Sequence, residues 1–207
     1  MEEEFNKQVN NLIAKGYPQL AQLSEEEFRK TLQPLKDKLP RNLELPDPEN
    51  GYLPFVIVIR NEFISVEKMM QSARYNNKEG ITKLFPLQPG DFGNIEGMDF
   101  PTTHAYLLID IDRGKETINI RPEDALKIIQ SKKRFPLNIA EGIALITHYP
   151  EFLIKNNCFS LLASRTGQDQ RVPAIWINAK KQANLGWCWD GNPHTWLGSA
   201  SAKLRIS

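Results

Sequence analysis

Residues 55–59 read Phe55-Val56-Ile57-Val58-Ile59, an almost unbroken β-branched and aromatic run. A strand covered on both faces has this composition, whereas a strand with one wet face alternates apolar and polar residues. The run predicts a central strand, and the chain changes character on either side of it. Upstream, Phe5, Val9, Leu12 and Ile13 recur at helical offsets until Gly16 and Pro18 stop the pattern. A second helix begins at Ser24, in capping-box spacing with Glu27, and carries Phe28, Leu32, Leu35 and Leu39 on one face. Pro34 lies inside that pattern, and its missing N–H predicts a kink or break near Gln33. Pro40, Pro46 and Pro48 mark an extended connection. The domain reading is therefore a helical segment at 1–39, a Pro-rich linker at 40–50 and an α+β domain at 51–207.

Downstream, Ser65 opens a short helix through Met69 and Met70, and the glycines at 90, 93 and 97 predict a long irregular excursion. His104 to Ile111 and Thr117 to Ile120 predict two strands joined in a hairpin at Arg113-Gly114-Lys115. Pro122, followed by Glu123 and Asp124 and ending in Lys132-Lys133-Arg134, has the charge order a helix dipole favours. Asn138 with Glu141 repeats the capping box for a helix toward His148. Strands follow at Phe159–Ala163, Val172–Ile177 and Leu185–Trp189. The fold expected is α+β, a mixed or antiparallel sheet with flanking helices and an amino-terminal helical pair.

Composition removes several classes of function. The 207 residues carry 26 basic and 25 acidic side chains, so no global field draws the chain to nucleic acid or an anionic membrane. The longest apolar run, Leu53–Ile59, contains Pro54 and falls far short of the roughly 20 residues that span a bilayer. The opening Met1-Glu2-Glu3-Glu4 is acidic where an export signal is basic. Cys158 and Cys188 then read as reduced thiols, and the expected compartment is the cytoplasm.

The strongest anomaly is the confinement of Trp176, Trp187, Trp189 and Trp196 to one short stretch. Directly after it comes Asp190-Gly191-Asn192-Pro193-His194-Thr195-Trp196, rich in glycine and titratable groups. Trp187, Trp189 and Trp196 suit the walls of a ligand recess, and Asn192 and Ser199 suit polar contacts within it. Arg165 and Arg171 bracket a connection where two guanidinium forks would meet an anionic group. His194 suits proton transfer, Asp190 its orientation, and Cys188 a thiol nucleophile six residues away. The plain alternatives are a sealed aromatic core, a surface turn and an inert buried thiol.

Other motifs carry less. Asp110 and Asp112 with Glu116 would share a divalent cation only if they did more than end a strand. Two cysteines and two histidines lack the close pairs of a structural zinc site, so no metal is expected. Gly114-Lys115-Glu116-Thr117 departs from a phosphate-binding loop at Glu116, and no cofactor is expected. Lys132-Lys133-Arg134-Phe135 is a basic cluster with an adjacent aromatic at a helix end, where cations belong anyway.

Cys158-Phe159-Ser160-Leu161-Leu162, Arg171-Val172-Pro173-Ala174-Ile175-Trp176 and Leu185-Gly186-Trp187-Cys188-Trp189, running into Gly191 to Ser201, resemble a bacterial family catalogued as domain of unknown function 5701. The resemblance extends back through Leu53–Ile59 and Ile109–Asp112 and leaves the first forty residues outside. It implies a bacterial cytosolic protein and transfers no catalytic residue. The function expected is binding of a small anionic or aromatic ligand at the carboxyl-terminal segment, with enzymatic proton transfer as a stronger form of the same reading. A protein-interaction module with a purely structural tryptophan cluster is the alternative. Single-stranded nucleic acid is the least favoured partner, given the charge balance.

Overall fold

The computed structural model describes residues 1–167 and 169–207. The chain opens with α1 (Glu2–Ala14), the single turn α2 (Tyr17–Leu20) and α3 (Glu25–Lys36). The capping box forms, with the Ser24 hydroxyl accepting from Glu27 N–H and the Glu27 carboxylate accepting from Ser24 N–H. Helix α3 continues through Pro34 without the expected break. Both Pro34 and Lys30, whose carbonyl loses its partner, are exposed, so that carbonyl is open to solvent rather than stranded in the core.

Next come β1 (Tyr52–Ile59), α4 (Val66–Ser72), β2 (Arg74–Tyr75), β3 (Lys78–Glu79), β4 (Ile81–Thr82), β5 (Gly93–Asn94) and β6 (Ala105–Asp112). After α5 (Pro122–Ser131), β7 (Phe135–Pro136) and α6 (Ile139–His148), the strands resume as β8 (Cys158–Ser160), β9 (Ser164–Arg165), β10 (Arg171–Ile177) and β11 (Ala183–Trp189). The last two strands are β12 (Leu197–Ser199) and β13 (Ser201–Ile206). The protein is α+β. A four-stranded antiparallel sheet has the order β1-β6-β13-β7, and a five-stranded mixed sheet has the order β12-β8-β10-β11-β4. Among the described residues, no helix is long and apolar enough to cross a membrane.

Strand β1 lies at the edge of its sheet, not in its centre. Its apolar run is buried nonetheless because side chains replace the missing neighbour strand. Gln8 of α1 donates to Phe55 O (3.1 Å) and accepts from Ile57 N–H (2.9 Å), while the His148 ring meets Ile57 O at 3.0 Å. Edge backbone groups left dry and unpaired would be costly, and these contacts satisfy them. The apolar faces of α1 and α3, with Phe5, Val9, Leu12, Phe28, Leu32 and Leu35, are buried in the same core as β1 and α6.

The expected hairpin at Arg113–Lys115 does not form. Residues 115–117 make one 3-10 turn, and β6 pairs with β1 and β13 instead. The polar groups of this turn are engaged by β12, since the Thr117 hydroxyl donates to Gly114 O and accepts from Ser199 N–H. Gly114 (φ +89°) and Gly198 lie back to back. A Cβ on Gly114 would stand 2.2 Å from Ser199 O, and one on Gly198 would stand 2.2 Å from Gly114 O.

The sequence reading stops its strands at Trp189, whereas β12 and β13 both lie beyond it with only Ala200 between them. The buried Ala200 donates to Ser160 O in the five-stranded sheet (3.2 Å) and accepts from Leu137 N–H (3.3 Å). One residue therefore passes the chain from one sheet to the other.

Candidate functional site

The most developed polar cluster stands on the four-stranded sheet. The box at the start of α6 forms as expected, with Asn138 Oδ1 accepting from Glu141 N–H and Glu141 Oε2 accepting from Asn138 N–H. That carboxylate is fully buried and has further partners: the Tyr106 hydroxyl donates to it at 2.8 Å, and Arg205 donates from Nε and Nη2. Burial first, and then the adjacent Glu141 charge, raise the Tyr106 phenol well above its ordinary pKa, so this hydroxyl remains a donor.

Arg205 is itself almost wholly enclosed, with its side chain 6% exposed. Nη2 also donates to Pro136 O (2.8 Å), and the guanidinium lies 4.3 Å from the Phe100 ring centre and 5.6 Å from that of Phe135. Among the described residues, only Nη1 lacks an oxygen partner. Its contact is the Met98 thioether at 3.7 Å, a weak acceptor.

The basic run after α5 is carried to this place by β7, whose Phe135 pairs with Ala202 of β13. Arg134 reaches across to β6, donating from Nη1 to Asp110 Oδ1 and from Nε to Ser201 Oγ, both at 2.9 Å. Asp110 adopts φ +54° within a strand, and Lys133 adopts φ +55°. Such conformations are strained for side chains with a Cβ and concentrate at functional sites. Between the Leu53–Ile111 and Phe55–Ile109 pairs, Asp110 comes opposite Pro54, which has no N–H to pair. Together, Met98, Lys133, Arg134, Phe135, Leu204 and Arg205 help to line a cavity of about 460 Å³.

The residues singled out from the sequence fall into separate groups. Trp187 and Trp189 meet edge to face at 5.4 Å, and Arg171 stacks 4.6 and 4.8 Å from their centres while pairing with Asp169. Trp187 Nε1 donates to Phe85 O at 3.0 Å. Trp196 lies elsewhere. It meets Trp176 at 6.1 Å, and Trp176 covers Gly186 so closely that a Cβ there would stand 2.1 Å from the indole. Alternation along β11 puts Gly186 on the face opposite Trp187 and Trp189. The tryptophans are thus divided between two faces.

His194 lies beside Trp196 at 5.5 Å, its Nε2 buried with no hydrogen-bond partner among the described residues. Arg165 pairs with Asp190 at 3.2 Å, yet Asp190 Oδ1 has no aligned hydrogen bond. Both charges act on the Cys188 thiol, but its side-chain hydrogen-bond partner among the described residues is Ser160 Oγ at 3.8 Å, not His194. Burial, only partly offset by the Ser160 hydroxyl, pushes that thiol up to about 11. It is therefore a protonated core thiol at neutral pH. Asn192 is exposed on its turn, and Ser199 is buried. Cys158 lies two strands and four residues away from Cys188 in register, beyond the roughly 7 Å limit for a bridge, and both thiols are free.

Sequence reading missed Glu141 and Arg205 as a site. Glu141 was visible only as a helix cap, and the one signal near the cavity, Lys132-Lys133-Arg134-Phe135, was equally well explained by a helix terminus. Arg205 belongs to β13, whose Ala202-Lys203-Leu204-Arg205-Ile206 alternates apolar and polar residues, a strand signal that the sequence reading, ending its strands at Trp189, does not use.

The architecture defines an α+β protein built chiefly on a four-stranded and a five-stranded sheet, with a cavity lined by Arg134, Arg205 and Lys133 over the four-stranded one. A family model matches residues 11–207, and the chain belongs to that family, a family of unknown function (DUF5701). The match begins inside α1, so it takes in helices that the sequence resemblance had left out. No curated protein and no solved structure matches the chain.

Proposed function

We propose that the protein binds a small organic anion in the cavity beside Arg205, with the charged group near Arg205 Nη1 and Lys133 and an apolar body against Phe135, Leu204 and Met98. The observation that carries this reading is the enclosed guanidinium. Glu141 and Pro136 engage its other nitrogens, and among the described residues only the Met98 sulfur meets Nη1. A charge-assisted hydrogen bond there would contribute about 1.5–3 kcal/mol, enough for roughly tenfold to hundredfold in affinity. The ligand class agrees with the one expected from the sequence, but the place differs. A cytoplasmic setting is part of the proposal and is supported by the two free, buried thiols.

Benzoate and phenyl phosphate, titrated into labelled protein and followed by amide NMR, test this. Saturable shifts at Met98, Lys133 and Phe135, weakened at least tenfold by Lys133→Ala, are expected. Equal binding by that variant would overturn the reading. A second reading keeps the ligand at the carboxyl-terminal segment and is favoured by the buried His194 Nε2, which has no hydrogen-bond partner among the described residues, close in sequence to the Arg165–Asp190 pair. Shifts confined to residues 190–196 would select it.

A further inference from the structure

A second cavity, of about 510 Å³, lies among α1, α4 and the β2–β3 hairpin and shares no lining residue with the first. Lys15, just past the end of α1, lies in its wall and donates to Ser72 O, the last residue of α4, at 3.3 Å. Lys68 and Gln71 of α4 and Arg74 of β2 complete the polar wall. Against these three cations stands one acid, Glu79, which pairs with Arg74 at 3.4 Å. Neither lysine has a carboxylate partner among the described residues.

With Glu79 engaged by Arg74, the wall keeps an excess of positive charge from Lys15 and Lys68, and an anion seated among them relieves their repulsion. Lys15 is half-buried, and its ammonium pKa is lowered, first by burial and then by the neighbouring Arg74 charge. Lysine ammonium groups act as point charges that suit phosphate oxygens. Beyond Leu20 and Ala14 the lining side chains are polar or charged, which suits a hydrated anion better than a large apolar body. We infer that this cavity binds a phosphate group, free or as a phosphomonoester, through Lys15, Lys68 and Arg74.

Calorimetric titration of the full chain with inorganic phosphate at fixed ionic strength tests the assignment. Saturable binding at one site is expected, weakened at least tenfold in the Lys15→Gln, Lys68→Gln double variant and unchanged in Lys133→Ala. Because Lys15 also bonds Ser72, Lys68→Gln alone, on an exposed side chain, must weaken binding at least threefold. Non-saturable heats or equal binding by the lysine variants would overturn the inference and leave the first cavity's reading standing, whereas loss in Lys133→Ala would overturn it by placing the phosphate in the first cavity. Glucose 6-phosphate binding more tightly than inorganic phosphate would identify the group as esterified, and weaker binding would identify the free anion.

Discussion

Glu141 holds Arg205 through both carboxylate oxygens while the same carboxylate closes the cap of α6 on Asn138. One side chain therefore starts a helix and neutralises a cation beside a cavity. Removing one member of a buried pair strands the other, at a cost of about 3–5 kcal/mol. Glu141→Gln is expected to lower unfolding stability by that amount in urea titrations. Adding Arg205→Met should recover part of the loss, because no uncompensated charge then remains.

His148 links acidity to stability. Burial drives its imidazole down to about 4 from 6.5, although the Ile57 carbonyl opposes the shift. The unfolded chain accepts the proton near the ordinary value and the folded chain does not. The stabilisation is therefore complete above about pH 6.5 and is lost as pH falls toward 4, on the order of 3 kcal/mol over the window. Denaturation curves at pH 7.5 and 4.5 should show this drop, and His148→Gln should flatten it.

Cys188 should be chemically silent in the fold. With its thiol raised to about 11 and Cys158 also raised by burial, neither should be alkylated by iodoacetamide at pH 7.5 within an hour. Mass spectrometry should find both modified only after denaturant is added. Rapid labelling of Cys188 in native protein would restore it as a candidate nucleophile.

Gly198→Ala tests the back-to-back glycines. A Cβ 2.2 Å from the Gly114 carbonyl oxygen cannot be accommodated by turning a side chain, since the obstacle is backbone. Overpacking of this kind costs about 1–3 kcal/mol or more. Thermal melting should fall by several degrees, whereas Gly191→Ala, with open space around it, should leave the melting temperature within about a degree.

Local signals read well from the sequence. Both capping boxes, the helix beginning at Pro122 and the strands at β1, β6, β10 and β11 are encoded by residues near one another in the chain. What the sequence concealed depends on distant partners. The burial of Val56 and Ile57 suggests a central strand, yet Gln8 and His148 provide the missing neighbour. Thr117 to Ile120 has strand composition, but Ser199 claims Thr117 and prevents the hairpin. The pairing of Glu141 with Arg205 joins residues whose local roles are a helix cap and a strand position. Tryptophan clustering in sequence did not become clustering in space, because alternate strand positions send neighbours to opposite faces.

The passage through Ala200 also constrains how the chain matures. Leu197 pairs with Cys158 and Ser201 with Asp112, so each sheet waits for a segment translated after the strands it joins. Until residues 197–206 emerge, the inner edge of β6 and the outer edge of β8 stay open to any passing strand. Nascent chains stalled before that point should lean on chaperones, and release of this one ribbon should close both edges in a single event.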